Sequence, residues 1–370
     1  MSISENKSLM YEVIENMKFM VRVMDENKII IYMNRSMREE FGNRTGHKCY
    51  SILKQQESCK DCISIKCLET KEAESKDISV EDKHYRVIAS PAKVDQNGGY
   101  SIEIFHDITD QKKLEKEFFE HYKKLKEDIE FAKQVQRKSL PEDGIYWKAL
   151  KINSSYLPSE DLGGDHFDVI KIDEKKCLFY IGDISGHGVR SSLLTMFLRQ
   201  VVRGMKAGAA DLTALIDELI KSYKDLNLDH EQYISVLCGL YNKETRGLSL
   251  INAGHNCPPL VIETAKGYNE VTEIAIRGMP ICSLLSESNH EIKTLQMEKG
   301  DRIILYTDGL TEVHDPKINQ DLGVEGLKQI VYANGSRDGK QLVRRIIQEA
   351  KKFTGVNPVD DLAVVCLEVL

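Results

Sequence analysis

The chain has 370 residues, of which 41% are hydrophobic and 29% are charged, and its formal net charge is −7 at pH 7. This composition is typical of a globular protein of two or three domains and excludes wholesale disorder. No Lys/Arg cluster alternates with aromatic residues, no apolar run could span a bilayer, and the N-terminus lacks the apolar block of a signal peptide. We therefore expect a cytoplasmic protein that binds neither nucleic acid nor membrane.

The first segment, residues 1–109, alternates short apolar strands with helical stretches. The tripeptide Asn97-Gly98-Gly99 indicates a turn between the last two strands. This order predicts a small mixed α/β sensor domain. The predicted strands are Met20–Met24, Ile29–Met33, Tyr85–Ala89 and Tyr100–His106, with helical pieces near Asn34–Phe41.

The second segment, residues 110–141, is rich in Lys and Glu and contains no Gly or Pro before Pro141, which ends the predicted helix. Apolar residues recur alternately four and three positions apart, as in the seam of a coiled coil. The pattern predicts a stalk that pairs two copies of the chain, or else one amphipathic helix packed on its own domain. The apolar positions are Phe118, Tyr122, Leu125, Ile129 and Ala132.

The third segment, residues 142–370, is the largest, and in it strands mostly follow strands while helices come in pairs. Such an order favours antiparallel sheets with helices outside them over an alternating βαβ fold. The predicted strands are Phe167–Ile172, Leu178–Ile181, Ile234–Leu240, Leu248–Asn252, Leu260–Glu263, Arg302–Tyr306 and Leu362–Val369. The predicted helices are Arg190–Met205, Leu212–Leu226, Val324–Ala333 and Gly339–Phe353.

Acidic residues stand at strand ends or beside glycines in this third segment. Asp165 follows Gly163-Gly164, Asp183 ends an apolar strand, Asp308 precedes Gly309, and Asp360-Asp361 opens the last strand. Each alone would suit a turn or a helix cap. Together they predict a site for hard divalent cations, which prefer carboxylate and carbonyl oxygens.

Six motifs occur in order from about Ala132 to the C-terminus: AKQVQRKSLP, LGGDHFD, IGDISGHG, NAGHNCPPL, LYTDGLTE and VDDLAVV. This part of the chain resembles the PPM family of metal-dependent protein phosphatases, in its SpoIIE/RsbU-like bacterial branch. The resemblance implies an α+β protein whose C-terminal domain is an αββα sandwich with two Mn²⁺ or Mg²⁺ ions at its edge.

The resemblance also implies which residues hold the ions. The side-chain ligands would be Asp165, Asp183, Asp308 and Asp360, with the Ile184 carbonyl, and the ions would activate a hydroxide for direct attack on phosphorus. Asp361 is adjacent, and the sequence leaves open which of the two neighbouring carboxylates binds. The implied substrate is a phosphoserine on a STAS-domain anti-sigma-factor antagonist, whose dephosphorylation releases a sigma factor.

Some positions depart from the family pattern or leave a role open. The family usually has an aromatic residue at His166 and Thr or Ser at Ala363, and we interpret both as tuning. His187 is a candidate general acid that does not align with the acid of eukaryotic relatives. His255 we interpret as a structural residue that supports the site through hydrogen bonds.

The first segment resembles a PAS sensor domain, since Asp107-Ile108-Thr109-Asp110 passes directly into a charged helix. Four cysteines, with spacing C-x9-C-x2-C-x4-C, lie inside it. Such thiols indicate Zn²⁺, an iron–sulfur cluster or a redox-active pair, or else a cysteine-bearing loop without metal. These residues are Cys49, Cys59, Cys62 and Cys67.

Three other functions compete with a phosphatase. Gly163-Gly164-Asp165-His166-Phe167 is similar to the GGDEF signature of diguanylate cyclases, but a cyclase would need an acidic residue at His166. A histidine kinase could use His121 in the stalk, but no glycine-rich nucleotide lid follows. A catalytically inactive signalling scaffold would not need all the candidate metal ligands.

Overall fold

The computed structural model describes residues 3–53, 56–95, 98–205, 211–228, 232–263, 270–285, 290–315, 319–354 and 360–370. Contacts divide the chain into two compact units, Met1–Lys124 and Leu125–Leu370. The division of the chain into three segments, residues 1–109, 110–141 and 142–370, stays a prediction. In the described ranges, no helix is both long enough and apolar enough to cross a membrane.

The first unit contains a five-stranded antiparallel sheet in the order β2-β1-β5-β4-β3. Its strands are β1 (Met20–Met24), β2 (Ile30–Met33), β3 (Glu74–Val80), β4 (Lys83–Asp95) and β5 (Gly98–Asp107). Its helices are α1 (Ile3–Glu15), α2 (Arg35–Phe41), α3 (Ile63–Thr70) and a 3-10 turn at Cys49–Ser51. A methionine-rich core fills one face of the sheet, and Met24, Ile30, Met33, Met37 and Phe105 belong to it.

The four predicted strands of this unit are present, but Glu74–Val80 was not predicted. Its sequence, ESKDISV, is mostly exposed and has no strong apolar alternation, so a sequence pattern could not find it. In the predicted turn, Asn97 lies outside the described residues, while Gly98 and Gly99 belong to β5.

Helix α4 (Thr109–Ser139) spans 31 residues and contains the predicted stalk. The Asp107 carboxylate accepts a hydrogen bond from the Thr109 amide at 2.9 Å, which satisfies a free amide at the helix start. Phe118, Tyr122 and Leu125 are 73%, 55% and 58% exposed in the single chain. The helix is therefore confirmed, whereas its pairing with a second copy stays a prediction.

The second unit has two antiparallel sheets, in the orders β14-β11-β10-β9-β8 and β13-β12-β15-β18-β7-β6. The first sheet consists of β8 (Asp165–Lys171), β9 (Lys176–Ile184), β10 (Ile234–Asn242), β11 (Gly247–Ala253) and β14 (Ile292–Gln296). The second consists of β6 (Gly144–Tyr146), β7 (Leu150–Leu157), β12 (Leu260–Ile262), β13 (Val271–Glu273), β15 (Arg302–Tyr306) and β18 (Leu362–Val369). A short hairpin joins β16 (His314–Asp315) and β17 (Gln320–Asp321).

Helices cover the outer face of each sheet. Apolar residues between the two sheets, such as Phe179 and Leu305, form the central core. Helices α5 (Val189–Met205) and α6 (Leu212–Asp225) pack on the first sheet through a second core. Helices α7 (Gly323–Asn334) and α8 (Gly339–Thr354) pack on the second sheet through a third. The unit therefore has the αββα order of layers that the resemblance implies.

All seven predicted strands and four predicted helices of the second unit are present, with bounds that differ by up to two residues at most ends. The pattern missed β6, β7, β13, β14, β16 and β17. The centre of β7 reads Asn153-Ser154-Ser155, whose polar side chains interrupt the apolar signal of a strand.

Candidate metal centre

Strands β8 and β9 place the first two candidate carboxylates. Asp165 and Asp183 are directly opposite each other in the antiparallel ladder. Both strands are almost entirely buried, so the backbone around the two residues is fixed by the ladder and by both cores. Asp165 faces the interior between the sheets, because Phe167 and Val169, at alternate positions, belong to the central core.

The second sheet supplies the other carboxylates from two neighbouring strands, β15 and β18. Asp308 begins a short 3-10 helix two residues after β15, and Asp360 lies two residues before β18. The turn at Gly309 is tight, since a Cβ there would lie 2.1 Å from the Asp361 carbonyl oxygen. Strand ends of both sheets thus present acidic side chains at one edge.

Thr307 links the two sheets at this edge. Its hydroxyl donates to Asp165 Oδ2 at 2.7 Å and accepts a hydrogen bond from the Ala363 amide at 3.0 Å. Thr307 is fully buried, so both bonds are shielded from water. This residue, which we did not single out from the sequence, orients Asp165 and leaves its other oxygen available.

Asp360 and Asp361 differ in burial and in hydrogen bonding. Asp361 is buried, its Oδ1 accepts from the Ser159 amide and hydroxyl at 2.7 and 3.0 Å, and its Oδ2 accepts from the Gly164 amide at 2.6 Å. Asp360 is more exposed and accepts one hydrogen bond, from the Asp361 amide at 2.7 Å. Asp361 is thus already used in bracing the Gly163–Gly164 segment, and Asp360 is the better candidate ligand.

Burial and mutual repulsion disfavour the ionised forms of these carboxyls. Burial, with the neighbouring charges of Asp183 and Asp361, raises the pKa of Asp165 well above its usual range. Burial, then Asp308 and Asp360, raises the pKa of Asp183 to about 7. Partial burial of the Asp360 carboxyl and the nearby Asp308 also raise the pKa of Asp360.

Glu312 is a further acidic residue at this edge that we did not select from the sequence. Burial of its carboxyl and the nearby charges of Asp308 and Asp360 raise its pKa. It is the last residue of the motif LYTDGLTE, so its place in that motif is the signal that could have identified it.

The donor set fits a hard cation. Every candidate ligand is an oxygen, and the Asp183 carboxylate has no hydrogen-bond partner in the described part of the chain. The buried Ile184 carbonyl lies close to the same edge, 2.7 Å from where a Cβ on Gly164 would stand. Clustered acidic oxygens of this kind are what Mg²⁺ and Mn²⁺ prefer.

The side chains are not yet gathered into a closed ligand cluster. Among the residues that the structure describes, no three His, Cys, Asp or Glu side chains are arranged so that they could hold a metal ion. The carboxylates would have to draw together around a cation. The assignment of Asp165, Asp183, Ile184, Asp308 and Asp360 as ligands therefore stays a prediction.

His187 and His255 lie in different surroundings. His255 is buried, and its Nε2 donates to the carbonyl of Tyr306, two residues before Asp308, at 3.0 Å. This contact agrees with the structural role that we predict for it. His187 is exposed, and its Nδ1 lies 2.9 Å from the Glu160 carboxylate.

The four cysteines of the first unit form no disulfide bond, and among the described residues no three of them are arranged so that they could hold a metal ion. Cys67 is buried and its thiol donates to the Ser64 carbonyl at 3.1 Å. Burial raises the pKa of Cys49 to about 11, so this thiol is protonated at neutral pH. Cys59 and Cys62 are partly exposed. The predicted zinc or iron–sulfur site stays a prediction.

Comparison with solved structures defines the class of the second unit. The SiaA-PP2C domain of Pseudomonas aeruginosa superposes with a TM-score of 0.57 at 17% identity, covering 67% of this chain and 98% of that one. The PP2C phosphatase domain of SpoIIE from Bacillus subtilis, with a fragment of its regulatory domain, gives 0.51 at 15% identity and covers 76% and 70%. The unit therefore has the PP2C phosphatase fold.

Sequence comparison then gives the family. The profile of the Stage II sporulation protein E (SpoIIE) family matches residues 173–370, more than half of the chain, and the chain belongs to this family. Asp165 precedes the matched range, whereas Asp183, Asp308 and Asp360 lie inside it.

Two curated relatives from Bacillus subtilis are similar to the chain. Phosphoserine phosphatase RsbP is 26% identical over 192 residues, which are 50% of this chain. Phosphoserine phosphatase RsbU is 21% identical over 243 residues, which are 66% of this chain. The match spans 46% of the length of RsbP and 70% of that of RsbU.

Replacing Asp360 and Asp361 by asparagine, one at a time, should distinguish their roles. We expect Asp361→Asn to destabilise the metal-free protein by about 1–3 kcal/mol, because an amide NH₂ would face hydrogen-bond donors. Asp360→Asn should leave the metal-free melting temperature near that of the wild type but reduce the increase that Mn²⁺ produces. Melting curves with EDTA or Mn²⁺ measure both effects, and the reverse pattern would exchange the two assignments.

The thiol prediction is tested by elemental analysis. If Cys49, Cys59, Cys62 and Cys67 hold a metal, protein purified without oxygen should contain stoichiometric zinc or iron. Replacing Cys59 and Cys62 by Ser should release it, since the thiolate is the ligand. A Cys177→Ser variant, whose thiol is buried in the second unit, is the control. If the wild type contains neither metal, the alternative interpretation, a cysteine-bearing loop without metal, is favoured.

Proposed function

We propose that the chain is a Mn²⁺- or Mg²⁺-dependent protein serine/threonine phosphatase. The observation that carries the proposal is the meeting of acidic strand ends from both sheets at one edge, where burial and repulsion raise the pKa values of Asp165 and Asp183. Both RsbP and RsbU are described as phosphoserine phosphatases, which supports the same activity here.

The proposed roles follow from the contacts of each residue. Asp165, Asp183, Asp308 and Asp360, with the Ile184 carbonyl, would hold the cations. Bound there, divalent cations would lower the pKa of water and offset charge on the phosphoryl oxygens. Thr307 keeps Asp165 oriented through its 2.7 Å hydrogen bond, and Asp361 keeps Gly164 in place. An acidic edge without cations would repel a dianionic phosphate ester, so activity should require the metal.

The competing functions find less support. The segment that is similar to the cyclase signature, Gly163-Gly164-Asp165-His166, leads into an edge strand of an antiparallel sheet. The cyclase interpretation does not account for this position. His121 lies on α4, and no glycine-rich nucleotide lid follows it in the sequence. An inactive scaffold would not need the buried, mutually repelling carboxylates, which lower the stability of the fold unless they have a function.

We propose as substrate a phosphoserine on a STAS-domain anti-sigma-factor antagonist, whose dephosphorylation would release a sigma factor. The support is the resemblance to the SpoIIE/RsbU-like branch and the phosphoserine in the names of the two relatives. A protein substrate also suits a site at the open edge of two sheets.

A phosphatase assay with variants tests the activity. The purified chain should release phosphate from a phosphoserine STAS protein with Mn²⁺ and not with EDTA. Asp165→Asn and Asp308→Asn should each lower turnover by at least about 100-fold, because a neutral amide is a poor cation ligand. Asp217→Asn, on the exposed face of α6, is the matched control and should keep wild-type turnover. Normal activity of both site variants at saturating Mn²⁺ would refute the assignment.

We also propose that α4 pairs two chains and that the PAS-like segment regulates the enzyme through it. Within the second unit, the end of α4 contacts the segment that leads to Asp165. The Gln136 side-chain amide donates to the Gly163 carbonyl at 2.7 Å and accepts from the Gly163 amide at 3.3 Å. Lys133 forms an ion pair with Asp161 at 2.9 Å. A shift of the helix would therefore bear directly on the loop before Asp165.

Polar substitutions in the apolar stripe test the pairing. Changing Leu125 and Ile129 to Gln should weaken dimerisation by at least about 100-fold, because a buried aliphatic side chain contributes about 1.5–3 kcal/mol. Phe131→Gln, on another face of α4 and also exposed, is the control. Light scattering and phosphatase rates are measured on the same samples. If the double variant is monomeric but keeps normal and still regulated activity, the stalk only connects the two units and the proposed regulation through pairing is wrong.

A further inference from the structure

His166 is a fully buried histidine that directly follows Asp165 on β8. Successive side chains of a strand point to opposite faces, so Asp165 faces Thr307 and His166 faces the layer of α5. There its Nε2 lies 2.9 Å from the Ser139 hydroxyl and its Nδ1 lies 3.1 Å from the Tyr180 hydroxyl. Ser139 is the last residue of α4, so the imidazole joins the helix end to two strands.

The hydrogen bonds fix the tautomer of His166. The single hydroxyl proton of Ser139 is donated to the Gln136 carbonyl at 2.6 Å, so this hydroxyl must accept from His166 Nε2–H. His166 Nδ1 then accepts from Tyr180. A neutral imidazole with one donor and one acceptor satisfies both partners.

The backbone just before the candidate ligand Asp165 has little freedom to adjust. A Cβ at Gly163 would lie 2.0 Å from the Tyr156 hydroxyl, and one at Gly164 would lie 2.7 Å from the Ile184 carbonyl. Neighbouring atoms therefore enclose residues 163 and 164 closely. Because packed interiors transmit small shifts instead of absorbing them, a displacement at His166 is passed on to Asp165.

We propose that His166 is a positioning residue that ties β8 to the last turn of α4, so that the affinity of the centre for its cation depends on the Ser139–His166 hydrogen bond. The inference rests on the proposed function. It adds to the metal centre a residue that would not contact the cation itself. It concerns this chain in particular, because the resembling family usually has a different aromatic residue where His166 stands.

Two substitutions of His166 isolate the Ser139 contact. His166→Gln keeps an N–H near the Nε2 position, whereas His166→Asn keeps a polar group near Nδ1 but is too short to reach Ser139. We expect His166→Asn and Ser139→Ala each to weaken Mn²⁺ binding about tenfold, the lower end for residues that orient ligands. His166→Gln should stay within about threefold of the wild type. The measurement is titration calorimetry with Mn²⁺ and no substrate.

The double variant Ser139→Ala/His166→Asn tests whether the two residues act through one bond. It should bind Mn²⁺ about as tightly as either single variant, because the second change removes a contact that is already lost. Hydrogen exchange of residues 161–166 in EDTA gives a readout without metal, and it should be faster in both single variants than in the wild type.

The outcomes separate this inference from the proposed function. Wild-type Mn²⁺ affinity in every variant, with lower melting temperatures alone, would make His166 an ordinary packing residue and overturn the inference. Additive losses in the double variant would overturn it as well. If the wild type itself binds no Mn²⁺, the proposed metal centre fails and this inference falls with it. If His166→Asn does not fold, the Ser139→Ala result decides.

Discussion

Repulsion among the carboxylates at the edge of the two sheets is the constraint around which the second unit is built. Ionised carboxylates held close together in a partly buried site destabilise the fold unless a counter-charge is present. The β8–β9 ladder nevertheless holds Asp165 opposite Asp183. Thr307 and the amide of Gly164 fix the surrounding backbone through direct hydrogen bonds. The hydrophobic cores thus hold acidic side chains close together at this edge. A divalent cation would reduce the repulsion between their charges.

The same constraint bears on the different surroundings of the adjacent residues Asp360 and Asp361. Asp361 receives three hydrogen bonds, from Ser159 and Gly164, so both of its carboxylate oxygens already have partners. Its neighbour Asp360 has one such bond. Bracing a loop and binding a metal make different demands on a carboxylate, and in the proposed assignment Asp361 meets the first and Asp360 the second.

The sequence predicts the buried elements of this fold well and the edge elements poorly. Strand Arg302–Tyr306 is buried along its whole length and Leu362–Val369 at every position but Glu368, so their apolar runs marked both ends correctly. Strands β3 and β7 carry polar residues and gave no such run. Strand pairing between distant segments supplies their order, and that information is not local in the sequence.

The site shows a similar limit. Glycine-flanked aspartates at strand ends could be selected because the spacing is local. Thr307 and Gln136 could not be selected, because their roles arise from contacts across the fold: Thr307 reaches Asp165 and Gln136 reaches Gly163. The choice between Asp360 and Asp361 likewise required the donors that surround each carboxylate.

The position of β8 at the open side of its sheet has a practical consequence. An uncovered strand edge invites pairing with another chain. Just before β8 begins, the Gln136 side-chain amide bonds both backbone groups of Gly163, as a neighbouring strand would. A fragment that starts after residue 139 leaves both groups of Gly163 without this partner, so a fragment of the second unit should retain the last turns of α4.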